Sequence, residues 1–115
     1  MNTFTVKSHF EGRDPVVQKI YDELLKRVRK FGPVVEDPKK TSIHLVRKSA
    51  FAGVATRKQA LILTVKSDRD LASPRIHKSE QASARRFYHE IKITRPQDLN
   101  AELVKWLKQS YALSD

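Results

Sequence analysis

Glu90, Ile91 and Lys92 follow one another on an apolar segment, with Asp70 upstream. Carboxylates and a lysine in this order match the Asp…Glu-x-Lys pattern of metal-dependent phosphodiesterases and nucleases, where two carboxylates hold Mg²⁺ and the lysine steadies the attacking water. A strand with one wet face alternates charges for ordinary reasons as well, and Asp70 falls in the most polar stretch of the chain. Nuclease chemistry through Asp70, Glu90 and Lys92 is therefore one alternative, an apolar protein-interaction module whose charge serves solubility is another, and a non-catalytic binding or accessory domain is the leading expectation. The other chemistry-bearing types are sparse. His9, His44, His77 and His89 are too scattered to form a metal site by spacing, and cysteine is absent, which removes thiolate ligands, disulfides and a cysteine nucleophile. With Gly12, Gly32 and Gly53 as its only glycines, the chain has no phosphate-cradling loop. No catalytic residue, metal or cofactor is expected.

Binding chemistry is better represented. The 115-residue chain carries 23 Lys and Arg against 13 Asp and Glu, a net charge of +10. All of that excess lies between Lys39 and Arg95, while the two ends balance. An uneven field of this kind predicts an anionic partner, nucleic acid or an acidic protein. The run Lys26-Arg27-Val28-Arg29-Lys30 reads differently, because cations at a helix C-terminus complement the macrodipole and Asp22 and Glu23 lie one turn back. It predicts a solvated face.

The elements that must position these residues follow from period and punctuation. Asp14-Pro15 opens a helix, since the carboxylate accepts from free amides and proline at the first helical position has no N–H to leave unpaired. Val17, Ile20, Tyr21, Leu24, Val28 and Phe31 then recur at helical spacing until Gly32-Pro33 stops the pattern. Val34-Val35 suggests a short strand and Glu36-Asp37-Pro38 a turn. Residues 42–47, 51–56 and 60–66 have the length and β-branched content of strands joined as hairpins. Residues 67–83 read as a long polar loop with a short edge strand around Arg75 to His77, and 85–93 resume strand alternation. Asn100 then caps a second helix with Leu103, Trp106, Leu107 and Tyr111 on its buried stripe, and Leu99 placed to pack on Val104.

Alternation sorts the strand side chains by face. Ile43, Leu45, Leu61, Leu63, Val65, Phe87, Ile91 and Ile93 are expected toward the helices, with His89 among them as a hydrogen-bonded structural histidine. The opposite face collects His44 and Lys48, Thr56 and Lys58, Thr64 and Lys66, and Arg86, Tyr88 and Lys92. Cations interleaved with a tyrosine suit phosphates and a stacked ring, and with Lys40 they form the expected anion-binding set. The paired aromatics of an RNA-recognition sheet are missing.

Four segments carry a family resemblance: His9-Phe10-Glu11-Gly12-Arg13, Tyr21 to Val35, the block KTSIHLVRKSAFAGVATRKQALILTVK from Lys40 to Lys66, and LNAELVKWLKQSY from Leu99 to Tyr111. Together they resemble an uncharacterised bacterial family known only as a domain of unknown function, found alone and as the C-terminal module of larger proteins, some of them predicted transport proteins. Its order of elements is also similar to that of YdhG-like domains, a likeness of layout that implies no function. The resemblance supplies no catalytic or binding residues, and marks His9, Arg13, Lys40 and His44 as polar positions within recognisable motifs. This chain is more basic than the family it resembles.

The expectation is an α+β protein: an antiparallel sheet of five or six strands, N- and C-terminal helices packed on one face, and the other face open. Residues 1–13 form a lead-in packed on a single domain at 14–115, with Phe4, Val6 and Phe10 as anchors. About twenty apolar side chains can be buried at roughly 1.5 to 3 kcal/mol each, before conformational entropy is subtracted. No apolar run has the flanks of a signal peptide or the length of a membrane span, which predicts a cytoplasmic location.

Overall fold

Residues 4–115 are described by the computed structural model, and they form a six-stranded antiparallel sheet with two helices on one side. Helix α1 spans Pro15–Val28, capped by Asp14, whose side chain accepts from Val16 N. Regular hydrogen bonding ends before the sequence pattern does: Phe31 N returns to the Val28 carbonyl at 3.0 Å in a tightened turn. Phe31 still packs on the core, its ring 5.8 Å from that of Tyr111. The next residue, Gly32, has a φ of 149°, and a Cβ there would stand 2.5 Å from the Tyr111 hydroxyl. That hydroxyl donates to the Pro33 carbonyl at 3.0 Å, so the missing side chain lets the chain turn under a ring that pins it.

The strands are β1 (Val35–Pro38), β2 (Ile43–Val46), β3 (Ala50–Thr56), β4 (Leu61–Ser67), β5 (Ile76–Ser83) and β6 (Arg86–Ile93), in spatial order β1-β2-β3-β4-β6-β5. Strand β6 thus enters between β4 and β5. Two expectations are corrected here. Glu36-Asp37-Pro38 is strand rather than turn, and the reversal falls at residues 39–42, where Lys39 N donates to the Ser42 carbonyl at 2.7 Å. Proline is tolerated at Pro38 because β1 is an edge strand. The long loop expected over residues 67–83 is loop only to Arg75; its second half is β5, paired with β6 from Ile76 opposite Ile91 to Ser83 opposite Arg86. Apart from Ile76, β5 is exposed along its length, so it has no apolar alternation to announce it. Its pairing satisfies the outer backbone groups of β6.

Helix α2, Ala101–Ala112, starts at Asn100, whose side chain accepts from Leu103 N at 3.1 Å, as the capping argument predicts. It packs on β3 and β4, placing Leu103, Trp106, Leu107 and Tyr111 in one cluster with Ile20 and Leu24 of α1 and with Ile43, Leu45, Leu63 and Ile91 of the sheet. Phe87, expected in this core, is only half-buried; its ring lies parallel to that of His89, with centroids 6.3 Å apart. His89 is fully buried, with Nδ1 2.8 Å from Ser79 Oγ and Nε2 accepting from Leu71 N at 3.4 Å.

Of the lead-in, Val6 and Phe10 pack against the core, Phe10 with its ring 5.1 Å from Tyr21, while Phe4 is exposed. His9 Nε2 lies 2.8 Å from the Lys39 carbonyl oxygen. Residues 1–3 lie outside the described part.

Candidate functional site

Alternation along the central strands leaves one face without a covering helix. In β4, Leu61, Leu63 and Val65 point into the core, and Ile62, Thr64 and Lys66 point out. Across that outer face His44 stands opposite Gly53, Gly53 opposite Thr64, and Lys66 opposite Tyr88. These residues line an open groove of about 330 Å³, together with Ser42 and Ala55. Its floor is low because Gly53 and Ala55 carry almost no side chain.

No backbone requirement explains Gly53. Its φ is not positive, and a Cβ built there would meet only Thr64 Cβ, at an ordinary 3.7 Å. A glycine inside a strand sacrifices β-propensity, and one such cause is the close approach of a ligand.

Lys66 is the most constrained cation of the groove, only 8% exposed. Burial holds its ammonium below the ordinary lysine value, and the Arg86 guanidinium adds to the effect. Lys66 Nζ has one long hydrogen bond, 3.4 Å to Ser49 Oγ. Arg86 Nη1 is buried and has no hydrogen-bond partner. Among the described residues neither side chain forms an ion pair, although the sheet's edges have several, including Lys39 with Asp37 at 2.9 Å and Lys78 with Glu90 at 3.9 Å. Two adjacent like charges without a counter-ion create a local positive potential that an anion relieves.

The remaining expected residues divide among other places. Lys58 and Lys92 line a second outer cleft, of about 610 Å³, with Ile62, His77 and Glu90. Lys40 joins His9 and Arg13 at a third, of about 340 Å³, where the lead-in meets the sheet. The roles of His9 and Arg13 there are legible: Arg13 Nε donates to Thr56 Oγ1 at 3.1 Å, and the Thr56 hydroxyl donates to the His9 carbonyl at 2.6 Å. Thr56 is thus buried under the lead-in instead of lying on the wet face, a correction that follows from its register opposite Leu61. Lys48 is not on the open face of the sheet. It sits in the β2–β3 turn, its Nζ 3.3 Å from Asp115 and its backbone N donating to the Ser114 carbonyl at 3.2 Å. Arg27 pairs with Glu23 at 3.6 Å on α1, in keeping with a solvated helix face.

The Asp70, Glu90 and Lys92 constellation is not assembled. The backbone at Arg69 and Leu71 touches the His89 ring on the helix side, whereas Glu90, one residue on, lines the outer cleft and pairs with Lys78. Among the described residues no three His, Asp or Glu side chains are grouped to hold a metal ion.

Sequence reasoning missed Gly53 and Ala55 as a floor, Ser49 as the lysine's neighbour, and Ser110. The Gly53 signal was present as a lone glycine within a strand pattern. Ser110 had none, because its role arises only when α2 docks.

The chain belongs to the family described as domain of unknown function DUF5655, whose model matches residues 6–114. No curated protein and no solved structure matches it. Among the described residues no helix is long and apolar enough to cross a membrane.

Proposed function

We propose, starting from that family membership, that this domain is a non-catalytic binding or accessory module that engages an anionic partner through the open face of its sheet. The observation that carries the reading is the pair Lys66 and Arg86, two neighbouring cations on that face with no ion pair between the described residues to neutralise them. Lys58 and Lys92 extend the positive surface beside them. The resemblance to modules attached at the C-terminus of larger proteins is in keeping with an accessory role, and a cytoplasmic location belongs to the same proposal.

Nucleic acid is the first partner to test. If four or five phosphates are neutralised, the logarithm of affinity for duplex DNA falls with the logarithm of salt with a slope of about −4, at roughly −0.9 per contact. Reversing the charge of Lys58, Lys66 and Lys92 together should weaken binding and flatten the slope, while reversal at Lys26 and Arg27 should change little. Sequence preference should be weak, since flexible cations and one tyrosine give no rigid bidentate array. A flat salt response would eliminate nucleic acid and leave an acidic protein or an apolar partner as the surviving explanations. Incubation with Mg²⁺ or Mn²⁺ should leave the nucleic acid intact; cleavage abolished by Glu90→Ala would overturn the non-catalytic reading.

A further inference from the structure

The groove above Gly53 has features that a general attraction for anions does not need. Its volume, about 330 Å³, is at the lower end of the range for small-molecule sites and too small for a folded partner segment. One wall is the Tyr88 ring, 38% exposed and one of the few large apolar side chains left at the surface among the described residues. The floor at Gly53 and Ala55 carries no polar side chain. Around the rim, the side chains of Ser42, His44, Thr64 and Tyr88 make no hydrogen bond within the described residues, whereas on the helix side Ser110, Tyr111 and His89 are all hydrogen-bonded. Lys66 closes the set, nine-tenths buried and without a carboxylate.

Each feature selects part of one ligand. A floor stripped of side chains beside an exposed ring admits a planar group, which gains stacking energy on the tyrosine face. A desolvated lysine backed by an arginine takes an oxyanion, and charge-assisted hydrogen bonds of this kind are about twice as strong as neutral ones. Unpartnered hydroxyls and an imidazole at the rim hydrogen-bond the edge of a heterocycle. We infer that the groove formed by Gly53, Ala55, Tyr88 and Lys66 is a binding site for one nucleotide, its base on the Gly53 floor against Tyr88 and its phosphate at Lys66. The inference rests on the anion-binding reading and deepens it. The nucleotide is either free or a single unit of an unpaired strand, and the chemistry of recognition is the same in both.

The test uses the whole chain, adenosine 5′-monophosphate, a short oligoadenylate and inorganic phosphate, with affinities measured by titration calorimetry. Gly53→Leu fills the floor without backbone strain, since the new Cβ meets only Thr64. Tyr88→Ala removes the ring and Lys66→Met the charge. Each should weaken nucleotide binding about tenfold or more, the loss expected for removing a stacked base or a hydrogen bond to a charged group. Inorganic phosphate should bind much more weakly than the monophosphate and be indifferent to Gly53→Leu. Saturable binding of the monophosphate, with the oligomer no tighter per nucleotide, identifies a free nucleotide; binding of the oligomer alone, lost in Gly53→Leu, identifies a strand. Absence of binding by both probes overturns the inference, as does binding undiminished in all three variants. If Gly53→Leu fails to fold, as its thermal melt will show, Tyr88→Ala and Lys66→Met decide alone. Salt-dependent binding of duplex DNA that survives these substitutions would leave the broader anion-binding reading in place while the nucleotide site fails.

Discussion

On the helix-covered side of the sheet, the Ser110 hydroxyl donates to the Phe51 carbonyl and accepts from Lys66 N at 3.0 Å, filling the gap where the β3–β4 ladder stops at Ala52 and Val65. On the open side, the ammonium of the same Lys66 reaches only Ser49 at 3.4 Å, and the neighbouring Arg86 Nη1 reaches nothing. The contrast extends along both faces. Beneath the helices Tyr21 donates to Glu36 at 2.7 Å, and that burial, reinforced by the Glu36 carboxylate, pushes its phenol far above the ordinary tyrosine value. Glu23 Oε2 lacks a hydrogen bond but lies 3.6 Å from Arg27 Nε. A buried polar group without a partner costs stability, and the anion proposed for the open face would remove that cost at Lys66 and Arg86.

The comparison breaks or sharpens by substitution. The largest effect belongs to Ser110→Ala, which orphans the Phe51 carbonyl and the Lys66 amide together; at roughly 1–3 kcal/mol per buried group, denaturant melts should show a loss of about 2–6 kcal/mol. A loss below 1 kcal/mol would mean that water replaces the hydroxyl and that the helix side is less tightly satisfied than it looks. Next comes Thr56→Val, which removes the link between Arg13 and the His9 carbonyl. It should cost about 1–2 kcal/mol and raise amide exchange over residues 7–13, without touching anion binding.

Lys66→Met tests the other face and should have the opposite sign. Exchanging a desolvated, unpaired ammonium for an apolar chain of similar length should stabilise the protein by up to about 1 kcal/mol while weakening anion binding, the trade expected where function strains the fold. Because the folded-state value of Lys66 is lowered, the protonated form is disfavoured by folding, and the folded protein sheds this proton before the unfolded chain does. Stability of the parent therefore recovers as pH rises from that lowered value toward the ordinary 10.5, and the advantage of Lys66→Met should shrink across the same window. A destabilised Lys66→Met would sink the claim of strain.

The smallest effect lies at the start of α2. Burial alone would raise the Asp98 carboxyl, but hydrogen bonds from Thr94 N at 3.2 Å and Arg95 Nε at 3.2 Å outweigh it and hold the group below its usual value. Its contribution is complete above the ordinary aspartate value of 3.8 and disappears as pH falls through the lowered one. Asp98→Asn should therefore be less stable than the parent at neutral pH and lose that difference in strong acid, as paired melts would show.

Much of this architecture was legible in the chain. Asp14-Pro15 and Asn100 set helix starts through local hydrogen bonds, and alternation in Ser42 to Lys66 and Arg85 to Ile93 sorted core from surface, because both signals depend only on neighbours in sequence. Periodicity also brought His44, Lys66 and Tyr88 to one face. It misplaced Thr56, whose register opposite Leu61 puts it on the covered side, Lys48, which falls in the β2–β3 turn, and Phe87, which is only half-buried, and it could not show β5, whose strand conformation comes from pairing with β6 and not from its own side chains.

The sequence by itself determined the α+β class, the caps, the separation of an apolar from a basic face, and the location of all the excess charge between Lys39 and Arg95. Only the tertiary structure decided which of those charges remain without a partner. Lys39 finds the carboxylate of Asp37 in β1, Lys78 that of Glu90 on the neighbouring strand and Lys48 that of Asp115 at the C-terminus, whereas Lys66 in β4 has Arg86 in β6 as its charged neighbour. Composition counts charges, but pairs such as Lys48 with Asp115 depend on distances of a few ångströms between residues far apart in the chain, and those distances exist only once the sheet has formed in its register.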